Sequence, residues 1–316
     1  MATAAGYRRA DRPSADALVA AEALRYPGAS GLHYEVVDVF TDRPLAGNPL
    51  AVVLDADDLS GEQLQALARE FNLSETAFPL PSQVADYRLR SFTPTAELPF
   101  AGHPSIGSAR TLVRLGRLPA GSVLRERGAG LLPLSVGLVE VSLTGGKPTL
   151  GGDLDAGQLL AAVGLEPADG AGRTRLAGCG LEFGYLPVTE DAVARAMPDP
   201  RALGAALGSD GCGLCVYAWD VDRRTAHARV FAGGVGVAED PATGSAALGL
   251  GVHLVAAGLL PSGTSAYTVH QGAELQRPSA LHRRRTGANR GPGHRHRLGG
   301  FYRQRDNSGA VTPAWA

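Results

Sequence analysis

One short pattern occurs in both halves of this chain. Glu97-Leu98-Pro99-Phe100-Ala101-Gly102-His103-Pro104-Ser105-Ile106-Gly107 lies in the first half, and Glu239-Asp240-Pro241-Ala242-Thr243-Gly244-Ser245-Ala246-Ala247-Leu248-Gly249 lies in the second. Both read E-x-P-x-x-G-[HS]-x-x-x-G. Each follows a basic-x-Phe strand end, Arg90-Ser91-Phe92 and Arg229-Val230-Phe231, and each runs into an apolar helical stretch. Such a repeat implies two related domains that meet at a pair of helix N-termini. Paired N-termini present unsatisfied backbone N–H groups and positive dipole ends, which suit a small anion. The expected active site is the cleft between the halves.

The length of 316 residues suits about two domains at roughly 100–200 residues each. An apolar fraction of 44% supplies ordinary cores, and a formal charge of −1 predicts no bulk attraction to nucleic acid or membrane. No apolar run approaches the ~20 residues of a spanning helix. The N-terminus lacks the apolar core of a secretory signal, so a cytoplasmic enzyme is expected. Three cysteines, Cys179, Cys212 and Cys215, cannot build a disulfide framework.

Residues 1–32 read as an extension. Ser14 to Arg25 could form one short helix ended by Pro27-Gly28; the alternative is a loosely attached tail or an early start codon. Residues 33–147 read as the first domain. Tyr34–Phe40 and Leu50–Leu54 are strands by their β-branched content, separated by the turn Gly47-Asn48-Pro49. Ser60 opens a helix with Gln63 completing a capping box, and Leu64, Leu67, Ala68 and Phe71 share one face. That helix ends near Asn72, and the chain turns through Ser74-Glu75-Thr76 into the apolar run Ala77–Leu80. Tyr87–Thr93 alternates as a strand. Pro104 suits the first position of the next helix, which Gly116 closes. Leu131–Leu143 reads as strands, and Gly145-Gly146-Lys147-Pro148 is the boundary.

Residues 148–281 repeat the recipe. Helices are expected over Ala156–Val163, Ala192–Met197 and Ser245–Ala257, and strands over Leu214–Trp219 and His227–Phe231. The order is α+β, mostly strand with one long helix per half after the repeated turn, and not a βαβ series. Gly233-Gly234-Val235-Gly236 opens no helix and is no dinucleotide fingerprint. From His282 to Ala316 arginines are mixed with Gly, Pro and His, and no strand or helix period survives. A nucleic-acid-binding tail, a solvated tail and a frameshift near His282 would each produce this. The abrupt change within a domain that still needs edge strands favours the frameshift.

Glu75, taken alone, is a helix-end cap or a solvated acid. The apolar run that follows it should pull it into the fold, and partial burial raises a carboxyl pKa toward the useful range. His103 opens the first repeated helix and could simply cap backbone groups. Asp240 precedes the second helix, where a charge–dipole contact would explain it. Ser245 stands at the place equivalent to His103 and could be a capping hydroxyl. Their joint placement on a duplicated turn points to one shared site. Cys212-Gly213-Leu214-Cys215 has redox or zinc spacing but lacks two further ligands, so buried thiols leading into a strand are expected and no metal site. No nucleophile elbow frames Ser245.

Asp38-Val39-Phe40-Thr41, Gly47-Asn48-Pro49-Leu50-Ala51-Val52-Val53, Asn72-Leu73-Ser74-Glu75-Thr76, Phe92-Thr93-Pro94 and the two repeated runs resemble the PhzF-like phenazine biosynthesis family, in order, over about residues 33–280. The resemblance implies a diaminopimelate-epimerase-like fold: two similar domains, each a mostly antiparallel sheet wrapped around a central helix. The best-known activity of the family is isomerisation of trans-2,3-dihydro-3-hydroxyanthranilate without metal or organic cofactor. By resemblance Glu75 is the acid/base carboxylate, taking a proton from C3 of the ring and returning it at C1. His103, Asp240 and Ser245 match residues that hold substrate and assist proton movement. Gly102 and Gly244 match turns whose backbone meets the substrate carboxylate. Homodimers are common in the family. The Gly233 that replaces a usual proline suggests a looser loop before Asp240.

The resulting expectation is a cofactor-independent isomerase acting on a small carboxylated metabolite. An alternative is a non-catalytic binder of small carboxylates, or an interaction protein, on the same scaffold. Amino-acid epimerases and racemases of the wider fold set two thiols at the paired helix starts. Those places are Ala101 and Thr243 here, which disfavours thiol-pair stereoinversion.

Overall fold

The computed structural model describes residues 32–98, 102–128, 130–137, 140–208, 211–233, 236–263, 265–285 and 298–303. The helix expected over Ser14–Arg25 lies outside them. From Tyr34 onward the described residues pack as one compact unit.

Two sheets repeat one pairing pattern. The first contains β1 (His33–Val39), β2 (Asn48–Leu54), β3 (Glu75–Leu80), β4 (Tyr87–Phe92), the short β5 (Glu97–Leu98), β6 (Gly121–Arg127), β7 (Gly130–Val136) and β8 (Glu140–Leu143). The second contains β9 (Pro148–Asp153), β10 (Arg175–Cys179), β11 (Glu182–Pro187), β12 (Leu214–Asp220), β13 (Thr225–Ala232), β14 (Val237–Asp240), β15 (Ser265–Gln271) and β16 (Ser279–Arg285). In the first, β2–β3 is parallel, β3–β4 antiparallel, β4–β5 antiparallel, β4–β6 parallel and β6–β7 antiparallel. In the second, β11–β12, β12–β13, β13–β14, β13–β15 and β15–β16 follow the same senses in the same order. A last strand, β17 (Leu298–Arg303), pairs at one end with β16 and at the other with β8, so it belongs to both sheets.

Helix α1 (Gly61–Phe71) joins β2 to β3. It starts at the Ser60–Gln63 capping box and ends at Asn72, whose left-handed φ of 50° turns the chain toward Glu75. Helix α2 (Gly102–Arg114) follows β5. In the second half α3 (Ala156–Ala162), α4 (Glu190–Arg195) and α5 (Pro200–Leu207) are short, and α6 (Gly244–Ala256) follows β14. Both α2 and α6 are buried around most of their circumference, as a helix enclosed by sheet must be. Ile106, Ala109 and Leu112 of α2 pack in one core with Leu50, Val52, Leu134 and Val136, and Ala246, Leu250 and Leu254 of α6 join it with Tyr185, Tyr217, Val230 and Tyr267. The second sheet is covered on its other face too. Leu186, Val216 and Phe231 pack there with Leu159, Val193 and Leu203 of the short helices. This double burial is why β12 reads as a continuous apolar run from Leu214 to Trp219.

The repeated motif has the same physical work in each half. Arg90 forks onto Glu97 through Nε (2.8 Å) and Nη2 (2.7 Å), and Arg229 forks onto Glu239 through the same atoms at 2.8 Å each. Each guanidinium also lies 5.0 Å from the ring of the Phe two residues on, Phe92 or Phe231. The closing glycines are contact points. A methyl at Gly107 would come within 2.5 Å of a Leu50 methyl, and one at Gly249 within 2.3 Å of Tyr185 Oη and 3.1 Å of Gly178 Cα.

Several differences from the sequence reading are informative. Glu75 is not in a turn; it is the first residue of β3, since Thr76, Ala77 and Phe78 are completely buried. Pro104 is the third residue of α2, within its first turn, rather than its first. The sequence pattern does not show strands β6, β9, β10, β11 and β15 or helix α5: glycine or arginine interrupts the apolar pattern in all but β15, where the polar Ser265 and Gln271 take inward positions. The division at residue 282 falls inside β16. Leu281 and Arg283 face inward and His282 outward, so the alternation continues with an arginine on the inner face. Arg283 donates to Gly244 O at 3.2 Å, and its guanidinium lies 5.9 Å from the Phe40 ring. Cys215 lies in β12 as expected, its thiol pushed up to about 12 by burial, and Cys212 just precedes the strand.

Two outcomes follow for stability. Gly249→Ala should lower the unfolding free energy by about 1–3 kcal/mol, and more than Gly107→Ala, because the obstacle at Gly249 includes backbone and a hydrogen-bonded tyrosine rather than leucine and valine methyls alone; denaturant titration of both variants reads the ranking. His253 on α6 is 1% exposed, stacks on Tyr185 at 5.3 Å, and has no partner for either ring nitrogen among the described residues. Burial, and then the Arg175 charge, hold it down at about 4. A histidine depressed in the fold favours its neutral form, so this contribution is intact above ~6.5 and is lost as pH falls toward 4, by about 3 kcal/mol. Replacing His253 by Phe should flatten that part of the stability–pH curve.

Candidate active site

The end of α1, the start of β3, and the two repeated turns converge on one buried cluster. Glu75 retains 14% side-chain exposure, and its Oε2 lies 3.3 Å from His103 Nδ1, the second residue of α2. The contact lacks hydrogen-bond alignment: Glu75 Oε2 and His103 Nε2 are buried without a hydrogen-bond partner among the described residues. Burial drives the Glu75 pKa well above the usual carboxylate range, and the Asp240 charge adds to that. Burial pushes His103 down to about 3, so its imidazole is neutral and supplies no counter-charge.

Asp240 ends β14, opposite Val230, and is 8% exposed. Burial raises it to about 6, and hydrogen bonds from Thr243, Asn48 and Ser74 hold it back from rising further. Thr243 Oγ1 donates to Asp240 Oδ2 at 2.6 Å, and Asn48 Nδ2 donates to Asp240 Oδ1 at 2.8 Å. Gln271 Nε2 donates to the Asp240 carbonyl at 2.7 Å, while its Oε1 accepts from Thr243 N at 3.1 Å.

The two helix starts face one another. A methyl placed on Gly102 would sit 3.8 Å from Ser245 N and 3.9 Å from Gly244 Cα. Thr243 is the residue before α6, yet its side chain makes no capping bond to the helix, because its hydroxyl is turned to Asp240. The first-turn N–H groups of α6 are therefore not capped by it, which is the condition for binding an anion there.

The structure thus brings Glu75 against His103, sets Glu75 within the field of Asp240, and brings Gly102 against Gly244 and Ser245. Four partners escaped the sequence reading: Asn48, Ser74, Thr243 and Gln271. Asn48 carried a usable signal, a polar residue heading the otherwise apolar strand Asn48–Leu54 after the turn glycine.

Two apposed helix N-termini, closed over buried carboxyls and fed by matching sheets, define an epimerase-like α+β isomerase scaffold. The model of the phenazine biosynthesis-like (PhzC-PhzF) family matches residues 37–300, and the chain belongs to that family. A trans-2,3-dihydro-3-hydroxyanthranilate isomerase of Pseudomonas aeruginosa is 38% identical over 262 residues, covering 81% of this chain and 91% of that protein. The crystal structure of a Bacillus anthracis phenazine biosynthesis protein of the PhzF family superposes with a TM-score of 0.77 at 26% identity, covering 85% of this chain and 95% of that one. A hydroxyproline epimerase from Agrobacterium vitis shares the fold at a TM-score of 0.56 and 14% identity, over 86% of this chain and 89% of its own.

Removing the Asp240 charge should ease ionisation of Glu75. In Asp240→Asn the Glu75 carboxyl should titrate at lower pH than in the wild type, because a like charge no longer opposes its ionisation. Carbon-13 carboxyl NMR of labelled protein reads the midpoint; an unmoved midpoint would show that the two groups do not interact.

Proposed function

We propose that this protein is an isomerase that moves a proton between carbons of a small carboxylated substrate, with Glu75 as the acid/base. The observation that carries the reading is the placement of Glu75: nearly buried, 3.3 Å from a neutral His103, and raised well above the ordinary carboxylate range. A carboxyl whose charged form is disfavoured is a stronger base once ionised, and it returns its proton at a pH where a solvated carboxylate would not. The substrate C–H bond breaks toward Glu75, and its electron pair enters the conjugated system. A second carbon then takes the same proton from Glu75, so the net change is an isomerisation that needs no oxidant or reductant.

The helix starts supply the other half. Backbone N–H groups at Gly244 and Ser245, beside Gly102, suit the substrate carboxylate, and their fixed dipoles stabilise charge without reorganising. His103 and Asp240 flank the path of the proton. The substrate favoured by the named relative is a cyclohexadiene carboxylate of the trans-2,3-dihydro-3-hydroxyanthranilate type. The reading extends to a cytoplasmic homodimer with two similar domains divided near Gly145–Pro148. No described helix is long and apolar enough to cross a membrane, which is compatible with it.

Incubating trans-2,3-dihydro-3-hydroxyanthranilate in heavy water with the wild type and with Glu75→Gln tests the assignment. The wild type should incorporate deuterium and isomerise the compound. Glu75→Gln should lose both by at least ~100-fold, the lower range for a positioned acid/base. Equal exchange in the two proteins would remove Glu75 from the mechanism.

A further inference from the structure

We propose that Asn48 is the positioning residue of this site: its carboxamide bridges Ser74, at the approach to β3 and Glu75, to Asp240 at the end of β14, and fixes how the two acids share protons. The proposal rests on the reading of Glu75 and Asp240 as a working pair.

Asn48 is completely buried at the head of β2. Its Nδ2 donates to Asp240 Oδ1 at 2.8 Å and to Ala242 O at 2.9 Å, and its Oδ1 accepts from Ser74 Oγ at 2.9 Å. Two acceptors on one side and a hydroxyl donor on the other determine the orientation of the amide. Ser74 immediately precedes Glu75. One side chain therefore links β2, the approach to β3 and the end of β14, which come from opposite halves of the chain.

The backbone beneath Asn48 is clamped for this purpose. Gly47 has a φ of 69°, and a methyl there would lie 2.3 Å from Val39 O. Arg277 Nε donates to Gly47 O at 2.8 Å, Gly47 N donates to Pro278 O at 3.2 Å, and Arg277 Nη2 pairs with Asp38. Asp38 in turn accepts from Leu45 N at 2.8 Å. Residues of the second half thus hold the turn that aims Asn48 at an acid of the second half.

The electrostatic consequence has a definite sign. The Asn48 N–H stabilises ionised Asp240, and ionised Asp240 disfavours ionisation of Glu75. The charged and titratable groups around the carboxamide are Asp240 from β14, Glu75 from β3, His103 from α2, and the Asp38–Arg277 pair behind Gly47. Loss of the carboxamide should therefore raise Asp240 and lower Glu75, moving the resting proton from Glu75 toward Asp240. A merely structural role would reduce stability and leave this division alone.

Carboxyl NMR titration of ligand-free wild type, Asn48→Ala and Ser74→Ala decides the matter without a substrate. Asn48→Ala should move the Asp240 midpoint up from about 6 by about 1 pH unit and move the Glu75 midpoint down. Ser74→Ala, which serves if Asn48→Ala does not fold, removes the hydroxyl that anchors Asn48 Oδ1 and also helps to hold Asp240 down, and should move Asp240 in the same direction by less. With trans-2,3-dihydro-3-hydroxyanthranilate as probe, Asn48→Ala should lose about tenfold in kcat at pH 7 with a smaller change in KM. The pH dependence of its kcat/KM should shift, and Asn48→Gln should recover part of the loss. Unmoved midpoints in folded Asn48→Ala, or in Ser74→Ala where the former does not fold, would overturn the proposal. Shifted midpoints with no turnover of the probe by the wild type would leave Asn48 in place and count against the substrate reading instead.

Discussion

The arginine–glutamate forks are the constraint on which the rest depends. Arg90 with Glu97 and Arg229 with Glu239 fix the last residues of a strand to the first residues of the turn that opens a buried helix. The planar fork sets direction as well as distance, which a lysine would not do. In the second half the tie is drier: Arg229 and Glu239 side chains are 10% and 15% exposed, against 21% and 43% for Arg90 and Glu97. Arg229 also donates to the carbonyls of Val193, Ala194 and Ala196, so it closes the end of α4 while it holds the turn. Once both turns are fixed, the helix starts can meet, and Glu75, His103 and Asp240 lie near that meeting point.

That meeting point is costly to keep. Two carboxyls share a buried region with a histidine that burial keeps neutral, and no cation is among the principal causes of their shifts. Asp240 is raised in the fold, so its favourable contribution is complete below ~3.9 and is lost as pH rises through about 6, at about 3 kcal/mol. Holding an ionised Asp240 there at neutral pH thus works against stability. The offset comes from the apolar packing of α2 and α6 and from the hydrogen bonds that Asn48, Thr243 and Gln271 concentrate on the Asp240 turn.

Much of this was legible in the chain because the duplicated motif is local. Its Glu, its two glycines and the preceding Arg-x-Phe each carry out the same task twice, and the capping box at Ser60 and the stop at Asn72 depend only on neighbours. His103 and Asp240 stand on that motif, whereas Glu75 stands out only by the apolar run that follows it and by the family resemblance. What remained hidden depends on distant partners. Asn48 reads as a turn residue until Asp240 and Ser74 are seen beside it, and Gln271 reads as a strand end until it meets Thr243. Arg283 reads as the start of an aberrant, frameshift-like tail, yet it lies on the inner face of β16 and donates to the Gly244 carbonyl. Inward arginines defeat periodicity rules that score every charge as outward.

The shared strand β17 ties assembly of the protein to its own synthesis. Residues 302–303 lie beside β8 of the first sheet, whose own chain ends at residue 143. A ribosome that has released the whole first half has still not made the neighbour that completes its sheet. Such a long closure is slow to form, and it leaves a strand edge open in the meantime. The nascent first half is accordingly the stage at which a chaperone, or another unfinished copy, would find the most to bind.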